Sequence, residues 1–211
     1  MIQKGDGGNA MSNYVITIGR EHGSGGRYLG EELARALHIK CYDSELIAET
    51  AAHSGFAESF VQTHEEHRPG SFLYSLVTGT APVADEQPFS VQIFQAQSEV
   101  IRMLAERESC IIIGRCADYV LRERENVVNL FVHAPMAARV RRVCGRDGLE
   151  PAAAEKKIRQ TDKDRIAYYN FFTSQKWGEA KNYDLTVNTA DVGVPGVVTL
   201  VQDYLSLRGL I

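Results

Sequence analysis

The sequence predicts an α/β fold with a five-stranded parallel sheet and helices on both faces. Three observations predict it. Five short apolar runs recur along the chain: "YVITIG" (14–19), "IKCYD" (39–43), "CIIIG" (110–114), "VVNLFVH" (127–133) and "YDLTVN" (183–188). Three of them are β-branched and nearly continuous, as strands covered on both faces read. Segments of helical period lie between them. That alternation gives a parallel sheet wound on both sides by right-handed crossovers.

Each helix has its own local reason. "RYLGEELARALH" sets Leu29, Leu33 and Leu37 on one stripe, with acids early in the segment. "DSELIAETAAHSG" starts at a cap, Asp43 or Ser44, and ends at Gly55. "FSVQIFQAQSEVIRMLAERE" is long and amphipathic. "PMAARVRRVCGRDG" has Pro135 in its first turn and stops near Gly145 or Gly148, and Pro151 opens the next helix. "PGVVTLVQDYLSLRG" reads as a last packing helix.

The chain has 211 residues, enough for one domain over 14–211 with a substantial core. Residues 1–13, "MIQKGDGGNAMSN", read as a flexible tail without the apolar core of a secretory signal. The segment 56–88 holds three prolines and many polar turns, too long for a bare connection, and is expected to be an insert over the site. A net charge of −4 gives no global field for nucleic acid, and no apolar run is long enough to span a membrane. Cys41, Cys110, Cys116 and Cys144 lack paired spacing, which argues against a disulfide framework or a zinc knuckle and suits a reducing cytoplasm.

The chemistry-bearing stretch is "VITIGREHGSGGRYLGEELARAL". A strand runs into Gly23, Gly25 and Gly26, and a helix follows. Such a turn offers backbone N–H groups and a helix N-terminus to an anion. The lysine usual in such loops is missing: Gly26 stands in its place and Arg27 comes next. The dinucleotide fingerprint fails, because Tyr28 stands where its last glycine belongs. A plain glycine turn joining strand to helix is the other reading. Arg27 carries a charge, but its planar fork has a different reach from lysine.

Between 139 and 165 nine basic residues face five acids, a local excess of +4 in an acidic chain. Arg139, Arg142 and Arg146 share one helical face. Arginine suits the spread negative charge of phosphoryl transfer, while a solvated basic face is the alternative. Asp43 ends the second strand, where ligands bind in such sheets, and a capping role competes evenly with binding. His64 and His67 in "HEEH" fit a surface turn better than a metal site.

Taken together, "ITIGREHGSGGRYLGEELARAL", "KCYDSELI", "IIIGRCADYVL", "LFVHAPMAARVRR" and "TDKDRIAYYNFFT…YDLTVNT" resemble the cytidylate kinase-like family, from about 14 to 205. The resemblance implies a phosphate-loop kinase fold with an acceptor-binding region (56–88) and an arginine-bearing lid (139–165). It implies ATP and Mg²⁺ as cofactors, with Gly23, Ser24, Gly25, Gly26, Arg27 and Tyr28 cradling the donor phosphates. Arg102, Arg115 and Arg165 match arginines on the acceptor side. The family's Asp-Gly-Arg-Asp block appears as "IGRC", so Gly114 and Arg115 remain, and Asp118 is positioned to take over an acid's role. Arg142 and Arg146 are expected to close over the transferring group. The catalytic set is thus Arg27, Arg142, Arg146 and Arg165; the substrate set is Asp43, Arg102, Arg115, Asp118 and Arg165. The residues assign no metal ligands and no oligomeric state. The expected activity is transfer of the ATP γ-phosphate to a small phosphorylated acceptor, first of all a nucleoside monophosphate such as CMP. Two alternatives stand beside it: a nucleotide-binding regulator with altered catalysis, and a kinase of a non-nucleotide small molecule.

Overall fold

The computed structural model describes residues 13–43, 45–55 and 89–211. Residues 1–12 and the insert expected at 56–88, with His64 and His67, lie outside the described residues, as does Ser44.

All five expected strands form: β1 (Val15–Arg20), β2 (Lys40–Tyr42), β3 (Cys110–Ile113), β4 (Val127–His133) and β5 (Leu185–Asn188). They make one parallel sheet in the order β2-β3-β1-β4-β5. The described helices are α1 (Gly26–Leu37), α2 (Glu45–Ser54), α3 (Phe89–Arg107), α4 (Ala117–Val120), α5 (Met136–Asp147), α6 (Pro151–Thr173) and α7 (Gly193–Leu207). The sequence had not indicated the short α4.

Alternation along each strand sends side chains to two cores. Ile16, Ile18, Ile111, Ile113, Val128, Leu130 and Val132 meet Leu29 and Leu33 of α1 and Val197, Val201 and Leu205 of α7. On the other face Val15, Cys110, Ile112 and Val127 meet Leu46 of α2 and Val100, Ile101 and Leu104 of α3. Within that second face Thr17 donates to Asn129 Oδ1 at 2.7 Å across the β1–β4 register, so the buried polar pair satisfies itself.

The helix ends follow the punctuation of the sequence. Gly148, at φ 65°, closes α5, which decides between the two candidate stops. Pro151 opens α6. Glu31 and Glu32 fall in the second turn of α1, so its first turn carries no acid. That matters for the site, because the positive end of α1 faces whatever the glycine loop holds. Gly30 lets α1 lie close to the sheet: a Cβ there would come within 2.8 Å of Ile113 Cδ1.

Candidate active site

The strand order reverses beside β1, and the carboxyl end of such a strand is where ligands bind in open α/β sheets. There β1 ends at Arg20, the chain turns through 21–25, and α1 begins at Gly26. Gly23 (φ 78°) and Gly25 (φ 90°) adopt left-handed conformations that side chains disfavour. Gly23 also lies against α5, where a Cβ would meet the Arg139 carbonyl oxygen at 3.0 Å. The first N–H groups of α1 have no partner within the helix. The loop bounds a crevice of about 720 Å³, the volume of a nucleotide-sized ligand site.

Three arginines hold the loop by its carbonyls. Arg165 Nη1 donates to the Arg20 carbonyl at 3.0 Å. Arg139 Nε donates to the His22 carbonyl at 2.8 Å. Arg142 Nη1 donates to the Ser24 carbonyl at 2.8 Å, and its Nη2 donates to the Thr189 carbonyl at 3.0 Å. Thr189 Oγ1 donates to the same Ser24 carbonyl at 2.5 Å. The carbonyls of residues 20, 22 and 24 would repel an anion. Each is instead held by a guanidinium, which leaves the loop electropositive.

Arg139 does more. It is 4% exposed and pairs with Glu21 Oε2 at 2.9 Å and with Asp162 Oδ2. Asp162 Oδ1 accepts the His22 N–H at 2.7 Å, and Glu21 Oε2 accepts the Ala134 N–H at 3.2 Å. One buried cation thus ties the loop to α5, to α6 and, through Glu21, to the residue that follows β4.

The expected site residues fall into three groups. Gly23, Gly25, Gly26, Arg27, Tyr28, Asp43, Arg142, Arg146 and Arg165 all line the loop crevice. Arg115, Asp118 and Arg165 line a second, narrow cavity of about 20 Å³ walled by Tyr168, Tyr169, Trp177 and Tyr183. Arg102 reaches neither. It lies 13 residues along α3 from Phe89, about 20 Å at the helical rise, toward the opposite end of the sheet. Its neighbours Ile101 and Leu104 take the buried face, so Arg102 points to solvent. Among the described residues Arg102 thus lines neither cavity, because the direction of α3 carries it away from the crevice.

Other placements differ in detail. Ser24 is fully buried, with no hydrogen-bond partner for its hydroxyl, and its N–H and carbonyl are taken up by Glu21, Arg142 and Thr189, so it supports the loop from behind the crevice wall. Arg27 lies on the rim with its side chain 66% exposed, against Glu31 at 3.2 Å and Asp43 at 3.5 Å. Arg142 lies in the crevice wall, held against the loop backbone and Thr189 just past β5. Arg146 makes a two-pronged pair with Asp147, at 2.6 and 3.0 Å. A separate arginine-bearing lid is not seen among the described residues: 139–165 forms α5 and part of α6, packed through Val143, Ala154 and Ile158. The sequence reading missed Arg20, Glu21, Asp162 and Thr189 as parts of the site.

Charge shapes this region. Burial first, then Arg165 and Arg146, push the His22 imidazole down to about 4, so it is neutral at pH 7. Arg146 and then Lys157 hold the Asp147 carboxyl well below the usual range. Burial pushes the Asp118 carboxyl up, opposed by the Tyr169 hydroxyl, which donates to it at 2.6 Å. Gly114, Arg115 and Cys116, at φ 75°, 55° and 54°, form a left-handed turn that carries Arg115 into the cavity wall. Such a turn costs about 1–2 kcal/mol per side-chain-bearing residue.

Among the described residues no group of three or more His, Cys, Asp or Glu could hold a metal ion. A Mg²⁺ held mainly by phosphate oxygens needs only one or two carboxylates, and Asp43 in the crevice wall fits that need. No described helix is long and apolar enough to cross a membrane.

Comparison with known proteins agrees with this fold. The model of the cytidylate kinase-like family matches residues 15–191. A cytidylate kinase of Halobacterium salinarum is 27% identical over 125 residues, 57% of this chain and 62% of that enzyme. One of Thermococcus kodakarensis is 31% identical over 115 residues, 51% of this chain and 58% of that enzyme. The match thus spans less than two thirds of these relatives. Among solved structures, an uncharacterized protein of Eubacterium ventriosum has a TM-score of 0.69 at 25% identity, covering 92% of this chain and 99% of its own. A shikimate kinase of Bacteroides thetaiotaomicron has a TM-score of 0.54 at 14% identity, covering 92% and 98%, a likeness of fold.

Proposed function

The chain belongs to the cytidylate kinase-like family, and from that premise we propose that it transfers the γ-phosphate of ATP to a small phosphorylated acceptor, first a nucleoside monophosphate such as CMP. The observation that carries this reading is the glycine loop at the end of β1, which opens α1 beneath a crevice walled by Arg27, Arg142, Arg146 and Arg165.

In this reading the donor triphosphate lies along 23–28, on loop amides and the positive end of α1. Arg139 and Arg142 act as positioning residues that hold the loop. Arg146 exchanges part of its pairing with Asp147 for the transferring phosphoryl group. Arg115 and Arg165 hold the acceptor phosphate at the mouth of the narrow cavity, and Arg165 lines both cavities. Asp118 fixes that wall through Tyr169. Arg27 meets the donor from the rim. Bound Mg²⁺ would add charge neutralisation at the donor oxygens, with Asp43 as its protein contact. An acceptor phosphate oxygen is already deprotonated and needs no side-chain base. Catalysis is then positioning and charge stabilisation.

A coupled assay of ADP release with ATP, Mg²⁺ and each common nucleoside monophosphate tests this. Acceptor-dependent turnover is expected, with CMP among the substrates. No turnover with any monophosphate rejects the nucleotide acceptor, and no ATP consumption with any small phosphorylated acceptor rejects the kinase reading.

A further inference from the structure

Phosphate loops of the form G-x-x-x-x-G-K put a glycine at the strand end and a lysine at the first residue of the helix. Here the two are exchanged. Positions 20 to 26 read Arg-Glu-His-Gly-Ser-Gly-Gly, so an arginine ends β1 and a glycine starts α1. The two positions are in contact. A Cβ at Gly26 would lie 2.6 Å from Arg20 Cβ and 3.0 Å from Arg20 Cγ. The stem of Arg20 therefore crosses the face of Gly26 from which a lysine would leave. A side chain at one position requires glycine at the other.

We propose that Arg20 is the phosphate-contacting cation of this loop, reaching from the strand end toward the donor β- and γ-phosphates that a helix-borne lysine meets elsewhere. This deepens the kinase reading above and rests on it. Arg20 lines both the loop crevice and the narrow cavity, so it stands between the donor and acceptor sides. Its backbone is fixed: its carbonyl accepts from Arg165, it sits opposite Val132 in the β1–β4 register, and the next amide, of Glu21, donates to the Val132 carbonyl at 3.0 Å. Arg27, the neighbour that sequence alone favours, faces outward and is paired with Glu31 and Asp43.

The test compares the full-length chain with Arg20→Ala, Arg20→Gly, Gly26→Lys and the exchange Arg20→Gly/Gly26→Lys. Calorimetry measures ATP and AMP affinity, and the coupled assay measures kcat. Arg20→Ala is expected to weaken ATP about 10–100-fold and AMP by much less, and to lower kcat on the order of 10²–10³-fold. Gly26→Lys alone should fail, because lysine and Arg20 collide. The exchange should recover ATP affinity and turnover to at least about a tenth of the parent values. Cooperative melting checks that each variant folds, and Arg20→Gln replaces Arg20→Ala if it does not. A folded Arg20 variant with parental ATP affinity overturns the assignment, as does an exchange variant no better than Arg20→Gly. If the parent chain turns over no acceptor, the kinase reading fails alone, because the ATP-against-AMP comparison still decides on Arg20. A parent chain that binds ATP no better than AMP overturns both.

Discussion

His22 shows how strongly the site's charge acts on one residue. Burial, Arg165, Arg146 and Lys157 all disfavour the imidazolium, and Asp162 alone favours it. Its value falls from 6.5 to about 4. Between those values the unfolded chain takes up a proton that the folded chain refuses, so stability falls as pH falls from 6.5 to 4. Replacing His22 with Asn removes this linkage. Urea unfolding at pH 7, 5.5 and 4 should show the parent losing more stability than His22→Asn across the window. Parallel losses in the two proteins would show that His22 does not titrate as the buried site requires. The same residue illustrates a limit of reading sequence. Nothing adjacent to His22 announces Arg146 or Arg165, which arrive from more than a hundred residues away.

At the next level up, the loop is held by helices rather than by itself. Arg139 joins residues 21 and 22 to α5 and, through Asp162, to α6. Removing one member of a buried ion network leaves the others uncompensated and costs about 3–5 kcal/mol. Arg139→Met should lose about that much in urea unfolding at pH 7 and should also weaken ATP, since the loop loses its anchor. A variant as stable as the parent would show that Glu21 and Asp162 find other partners. Helical period alone put Arg139, Arg142 and Arg146 on one face, and that grouping holds. It does not tell which way the face points. Packing turned Arg139 inward and Arg142 against the loop backbone, because the Gly23 turn lies directly on α5. The left-handed turn at Gly114, Arg115 and Cys116 was equally unreadable, because side-chain-bearing residues give no signal for that conformation.

For the molecule as a whole, apolar runs and helical period made the strands and most described helices legible, because each burial pattern is local. The order β2-β3-β1-β4-β5 is not local, and it decides which side chains meet. It gathers Asp43, Arg142, Arg146 and Arg165 around one crevice and sends Arg102 to the far end of α3. The turn from β1 into α1 sets Arg20 across Gly26, a contact between two positions of one motif that neither reveals alone. The exchanged cation therefore bears on both the family reading and the local geometry. A crystal structure with a non-hydrolysable ATP analogue, Mg²⁺ and CMP examines both at once. The triphosphate should lie on the 23–28 loop, with the Arg20 guanidinium within about 3 Å of β- or γ-phosphate oxygens. A triphosphate bound elsewhere, or one gripped by Arg27 with Arg20 turned away, would refute it.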